Sequence, residues 1–230
     1  MGVRINKYIA SSGMCSRRQA DELIEAGKVT IDGIPAQNGA VVEDGMIVKI
    51  DDKEIFPEDK KIYIALNKPL GITCTTDRRD PSNIIDFMGL DDRIFPVGRL
   101  DKNSSGLILL TNDGDIVNKL LRVENGHEKE YAVRVNRKIE PDFKGKMEKG
   151  VKILGTTTLP CTVNITGTHT FNIILKQGLN RQIRRMCDAL GYKVTKLKRI
   201  RFMDITLGDM KPGQSRYLTG KEIKSLKSSD

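Results

Sequence analysis

The stretch from Ile94 to Gly114 constrains this chain most: two apolar runs flank a polar loop bounded by Gly98 and Gly106. Val97 closes the first run. Leu107 to Leu110 form the second, short enough to be a strand buried on both faces. Asn112-Asp113-Gly114 then supplies a turn, because Gly accepts a positive φ while Asn and Asp hydrogen-bond their own backbone. The loop carries one carboxylate, Asp101, between Arg99 and Lys102. An Asp in such a place is more often a turn former or half of a surface ion pair. Held at a strand end among cations, it is also a candidate nucleophile or general base.

The 230 residues suffice for one large or two modest domains, and 38% apolar content supports a core. A formal net charge of +9 points to a polyanionic partner, nucleic acid ahead of membrane. No apolar run approaches the roughly 20 residues that cross a bilayer. Met1-Gly2-Val3-Arg4 leads directly into an amphipathic helix rather than a signal sequence, so a cytoplasmic protein is expected. Cys15, Cys74, Cys161 and Cys187 are dispersed and form no Cys-x-x-Cys pair, and His127 and His169 stand apart, so no metal site is read. Such cysteines read as reduced thiols. No Gly-x-Gly-x-x-Gly or Walker pattern occurs, and no cofactor is expected.

Residues 1–58 read as a small module with its linker. Ile5, Tyr8 and Ile9 have helical spacing, and Gly13 stops that helix. Ser16-Arg17-Arg18-Gln19 has the form of a capping box, and Gly27 ends the helix it opens. Two Asp-Gly turns, at Asp32-Gly33 and Asp44-Gly45, separate short strands. Arg17 and Arg18 fall in a first helical turn, where cations oppose the macrodipole and a docked phosphate would offset that cost. Residues 1–60 nevertheless hold eight Lys/Arg against eleven Asp/Glu, so any nucleic-acid contact there is a local patch.

Residues 59–230 carry the basic excess. Ile62 to Leu66 reads as a buried strand, closed by Asn67-Lys68-Pro69-Leu70-Gly71, with Ile72 to Thr75 as a second strand. A helix of one to two turns is expected after Gly114, and another over Glu140 to Lys149. Tyr131, Val133 and Val135 alternate and share one face of a strand. Cys161 to Ile165 and Thr170 to Leu175 read as further strands. Asn180 is a candidate cap for a helix whose apolar stripe is Ile183, Met186, Cys187 and Leu190. Residues 181–201 contain eight basic side chains and one acid, Asp188. That imbalance is too one-sided for self-pairing and reads as a phosphate-contacting surface.

The string Gly98-Arg99-Leu100-Asp101-x-x-Ser104-x-Gly106 resembles the active-site signature of RNA pseudouridine synthases. Asn67-Lys68-Pro69-x-Gly71, Lys129-Glu130-Tyr131 and Gly178-Leu179-Asn180-Arg181-Gln182-Ile183-Arg184-Arg185 resemble further motifs of the same enzymes. Arg4-x-x-Lys7-x-x-x-x-Ser11 with Cys15-Ser16-Arg17-Arg18 resembles the S4 RNA-binding module. Together these cover nearly the whole chain and are similar to the RsuA-like family of bacterial rRNA pseudouridine synthases, particularly its large-subunit members. The resemblance implies an α+β protein: an S4 (αL-type) module, then a catalytic domain on a largely antiparallel mixed sheet flanked by helices. It implies Asp101 as the catalytic carboxylate, Arg184 as its partner, Tyr131 against the target base and Leu197 beside the base pocket. A flipped uracil needs such a face to replace its lost stacking. RNA contacts are expected from Arg4, Lys7, Arg17, Arg18, Arg99, Lys102, Arg181, Arg185, Lys198 and Arg199. The implied substrate is 23S rRNA, with tRNA as a further one, and the implied working unit is a monomer needing no metal. Other readings stand beside it: the same chemistry on 16S rRNA, a non-catalytic S4-domain RNA-binding ribosome assembly factor, and a DNA-binding protein with a helix-turn-helix near Ser16.

Overall fold

A computed structural model describes residues 2–122 and 126–228. It divides into two compact units. The first comprises residues 1–62 with short segments 90–94 and 112–114. The second comprises the remainder.

In the first unit, β1 (Val3–Arg4) leads into α1 (Ile5–Ser11), and α2 (Arg17–Glu25) packs on α1. Ser16 and Gln19 form the expected capping box: the Ser16 side chain accepts from the Gln19 N–H, and the Gln19 side chain accepts from the Ser16 N–H. β2 (Val29–Ile31), β3 (Ile34–Pro35), β5 (Val48–Ile50) and β6 (Lys53–Glu54) make a four-stranded antiparallel sheet. β4 (Val41–Val42) pairs with β1. Ile5, Ile9, Ala20, Ile24 and Val29 form the core of this unit. Asn112 fastens the end of the linker: its Oδ1 accepts from the Ile62 N–H at 2.8 Å and its Nδ2 donates to the Lys60 carbonyl at 2.9 Å.

The second unit is built on a nine-stranded sheet. In chain order its elements are β7 (Tyr63–Lys68), α3 (Ile84–Met88), β8 (Phe95–Val97), β9 (Ser105–Thr111), α4 (Gly114–Leu121) and β10 (Lys129–Val135). Then come α5 (Phe143–Glu148), β11 (Lys152–Ile153), β12 (Thr156–Thr157), β13 (Thr162–Gly167), β14 (Thr170–Leu175) and α6 (Gln182–Ala189). β15 (Val194–Phe202), β16 (Ile205–Thr206), β17 (Ser215–Tyr217) and α7 (Gly220–Lys227) complete it. The strand order is β13-β14-β10-β15-β9-β7-β17, with β16 on β15 and β8 on β9. Every pairing in this sheet is antiparallel except β15 with β9, so the sheet is mixed and largely antiparallel.

β9 is an interior strand between β15 and β7, and Gly106 to Thr111 are all buried, as the apolar run predicts. Burying each of its leucines contributes about 1.5–3 kcal/mol. Leu107 and Leu109 pack with Ile116 and Leu120 of α4 and Leu226 of α7. A second core joins Val133 and Val135 of β10 to Phe143, Met147, Phe171 and Met186. Phe143 meets Phe171 and Tyr192 edge-on at 5.0 and 4.8 Å between centroids.

Several sequence expectations differ locally. Residues 72–75 form no strand, only an isolated bridge between Thr73 and Asn83. Their polar groups serve the neighbouring loops instead, Thr73 N–H donating to Ser82. The helix expected from Glu140 spans only Phe143–Glu148. Helix α6 is not capped by Asn180. Its N-cap is Arg181, at φ 51°, with no capping side-chain bond.

Candidate active site

β8 and β9 are antiparallel neighbours, Val97 opposite Leu109, and the Asp101 loop joins them. β7 takes one edge of β9. On the other edge β8 pairs with Leu109 to Thr111 and β15 with Ser105 and Gly106. Two glycines permit this crowding. Gly98 has φ +72°, and a Cβ there would stand 3.0 Å from Leu121 Cδ2. At Gly106, φ is +104° and a Cβ would fall 2.2 Å from the Arg199 carbonyl oxygen, so only glycine fits between β9 and β15.

The loop is fixed by its backbone. Ser104 N–H donates to the Asp101 carbonyl at 2.9 Å, and Gly71 N–H to the Lys102 carbonyl at 2.9 Å. Leu100 N–H points at Cys74 Sγ at 3.4 Å, and burial pushes that thiol up. Lys102 Nζ donates to Ser82 Oγ at 2.9 Å. Lys68 is fully buried, its amine donating to the Pro69 and Ile72 carbonyls at 2.9 and 2.8 Å. Burial lowers the Lys68 pKa, and the Cys74 and Asp101 charges oppose that shift.

Asp101 lines a cavity of about 440 Å³ together with Arg99, Tyr131, Arg181 and Leu197. Its Oδ2 lies 3.7 Å from Arg181 Nη1 and 3.9 Å from Arg184 Nε. The two arginines differ in role. Arg181 is 47% exposed at its side chain, whereas Arg184 is 13% exposed. Arg184 Nη2 donates to the Asn103 carbonyl at 2.8 Å and Ser104 Oγ at 3.3 Å, and Nη1 to the Val194 carbonyl at 3.2 Å. Its buried Nε has no hydrogen-bond partner and stands toward the carboxylate. Burial, and then the Arg181 charge, lower the Arg184 pKa, against the pull of Asp101.

The wall opposite comes from two antiparallel strands. Tyr131 pairs with Arg199, and Val133 with Leu197, so these four share one face. A bulge at Ile200 then shifts the register, placing Glu130 opposite Arg201. Consequently Arg199 and Arg201 point to opposite faces. Arg201 pairs with Glu128 and Glu130, both at 3.0 Å. Arg199 is 3% exposed, donates from Nε to the Leu107 carbonyl at 2.6 Å and lies over the Phe202 ring. The expectation that Arg199 belongs to a solvent-facing phosphate surface is therefore corrected: by regular alternation it lies on the inward face with buried Leu197. Arg201 is also drawn from such a surface, because Glu128 and Glu130, outside residues 181–201, answer it.

Lys198 is half-buried beside Ala132 and Ser105, outside the cavity. Arg185 Nε donates to the Asn180 carbonyl at 3.1 Å, holding the turn before α6. Arg4, Arg17 and Arg18 are exposed and Lys7 is half-buried in the first unit. Sequence reasoning missed that Arg181 reaches Asp101, and that buried Gln182 accepts from the Leu179 N–H at 2.9 Å to close the loop. Only the motif context of these two residues hinted at them.

Comparison with known proteins agrees along the chain. Residues 62–189 match the model of the RNA pseudouridylate synthase family, and residues 3–48 match the S4 domain. The dual-specificity RNA pseudouridine synthase RluF of Salmonella typhi is 51% identical over 97% of this chain and 78% of its own. The ribosomal large subunit pseudouridine synthase B of Bacillus subtilis is 34% identical over 97% of this chain and 95% of its own. A crystal structure of a pseudouridylate synthase superposes with a TM-score of 0.71 at 28% identity, covering 97% of this chain and 99% of that one.

Proposed function

The chain belongs to the RNA pseudouridine synthase family, and from that premise we propose that it isomerises uridine through Asp101, in 23S rRNA first and in tRNA second. In this isomerisation the N1–C1′ bond breaks, uracil turns, and C5 bonds to C1′. C5 gives up its proton and N1 gains one, so atoms balance without an oxidant or reductant. Asp101 acts as nucleophile at C1′ or as base in an elimination route. Arg184 holds the loop and faces the carboxylate. Tyr131 stacks on the turned uracil and assists the C5 proton's departure, and Leu197 packs beside it. Arg99, Lys102, Arg181 and Arg185 meet phosphates nearby, while Arg4, Lys7, Arg17 and Arg18 position the RNA from the S4 module. The working unit is a cytoplasmic monomer without metal or cofactor.

One observation carries this reading: Asp101, Tyr131 and Leu197, far apart in sequence, line one cavity, and two guanidiniums approach the carboxylate there. The test is Asp101→Asn, which keeps the shape but can neither attack C1′ nor take a proton. Tritium release from 5-tritiated uridine in 23S rRNA transcripts should fall by at least about a hundredfold. RNA affinity and folding should stay near parent values. Parent-like release from the folded variant would end the proposal.

A further inference from the structure

A second cavity, of about 650 Å³, adjoins the first and shares Cys74, Arg99, Tyr131 and Gly178 with it. Its lining is of two kinds. Phe95, Pro96, Val97 and Leu121 make an apolar wall. Arg99, Lys129, Lys176 and Arg199 supply four cations, and no carboxylate is among the described residues that line it. Two of the cations share one aromatic ring: Lys129 Nζ stands 5.6 Å and the Arg199 guanidinium 5.9 Å from the Phe202 centroid. The acids beside them in sequence, Glu128 and Glu130, are spent on Arg201 across the sheet. Burial and the Arg199 charge together lower the Lys129 pKa. Among the described residues, positive charge is thus gathered against an apolar wall with no anion in the lining, an arrangement that costs free energy until one arrives.

We propose that this cavity receives the ribonucleotide next to the target uridine, its base against Phe95 and Pro96 and its phosphodiester toward Arg99 and Lys176. The inference rests on the uridine-isomerising reading of the first cavity. Two adjacent nucleotides share one phosphodiester, and the two cavities share one wall, at which Arg99 is the cation. A base leaving its stack needs an apolar or aromatic face, and such a contact is commonly worth about a factor of ten in affinity or more. The recognised unit is then a dinucleotide rather than a lone uridine.

The test compares uridine 5′-monophosphate with the dinucleotides UpA and ApU by calorimetric titration. The dinucleotides carry less negative charge than the monophosphate, so a tighter fit cannot come from charge alone. One of them should bind about tenfold more tightly to the parent protein. Lys176→Gln and Thr76→Glu alter side chains that line only the second cavity and are exposed, so both should fold. Each should erase the dinucleotide's advantage to within about twofold, and Asp101→Asn should keep it. No advantage in the parent, or one that survives both substitutions, overturns the proposal. The readout is binding, so a parent protein that forms no pseudouridine would overturn the activity reading and not this one.

Discussion

Arg184 and Arg181 stand at nearly equal distance from Asp101, yet their surroundings give them different work. Arg184 spends both terminal nitrogens on carbonyls and a hydroxyl of the Asp101 loop and β15, so it sets where the carboxylate sits. Lysine has one terminal amine and cannot span those three partners. Arg184→Lys should therefore cut single-turnover rate on the order of a hundredfold while RNA affinity changes only a few-fold. Arg181→Lys, at an exposed position, should do the reverse, weakening RNA binding with a smaller effect on rate. Rates and affinities that fall in parallel for both variants would refute this division. Gly106 is the second residue whose neighbours dictate its identity. Alanine there would push a Cβ into the Arg199 backbone and hold a positive φ. Gly106→Ala should lose about 3 kcal/mol or more in urea unfolding.

At the scale of elements, α7 is fastened by a box of its own. The Thr219 side chain accepts from the Glu222 N–H, and Glu222 accepts from the Thr219 N–H and both terminal nitrogens of Arg216. The Arg216 guanidinium holds the Glu222 carboxyl down at about 2. A depressed carboxyl stabilises the fold fully above its unfolded pKa, near 4.5, and that stabilisation is lost as pH falls through about 2. Glu222→Gln should therefore be less stable than the parent at pH 7, and the gap in denaturation midpoint should close between pH 4.5 and 2. A gap independent of pH would exclude the linkage. The box at Ser16 and Gln19 was legible in sequence because its two partners lie three residues apart. β9 was legible because its apolar run outweighs local alternatives, and the loop that carries Asp101 because Gly98 and Gly106 bound it. The opposite facing of Arg199 and Arg201 was not, since it depends on a bulge at Ile200 set by pairing with a strand some seventy residues away. Nor was Arg181 as the α6 N-cap, because its left-handed backbone is unusual for that residue type and nothing local announces it.

Over the whole molecule, charge is divided unevenly. Residues 1–60 carry a net −3 and residues 61–230 a net +12, so attraction for RNA is generated mainly by the larger part. The S4 module can then contribute only where cations cluster away from its acids, and Arg17 and Arg18 are exposed at the start of α2, ahead of most of those acids. Backbone N–H groups left free at that helix start add to the same anion-binding tendency. If both side chains meet phosphates, the double substitution Arg17→Gln with Arg18→Gln removes two released counterions. The slope of log affinity against log salt should become shallower by about 1.4 to 1.8. The rate at saturating RNA should hold, because the chemistry belongs to the other unit. Lys144→Gln with Lys146→Gln is the control: it removes the same charge, but these lysines already pair with Glu148 and Asp142 one turn away. That double variant should leave the slope within about 0.3 of the parent. Equal flattening by both pairs would mean that net charge alone draws RNA in, and that the S4 module holds no phosphate site of its own.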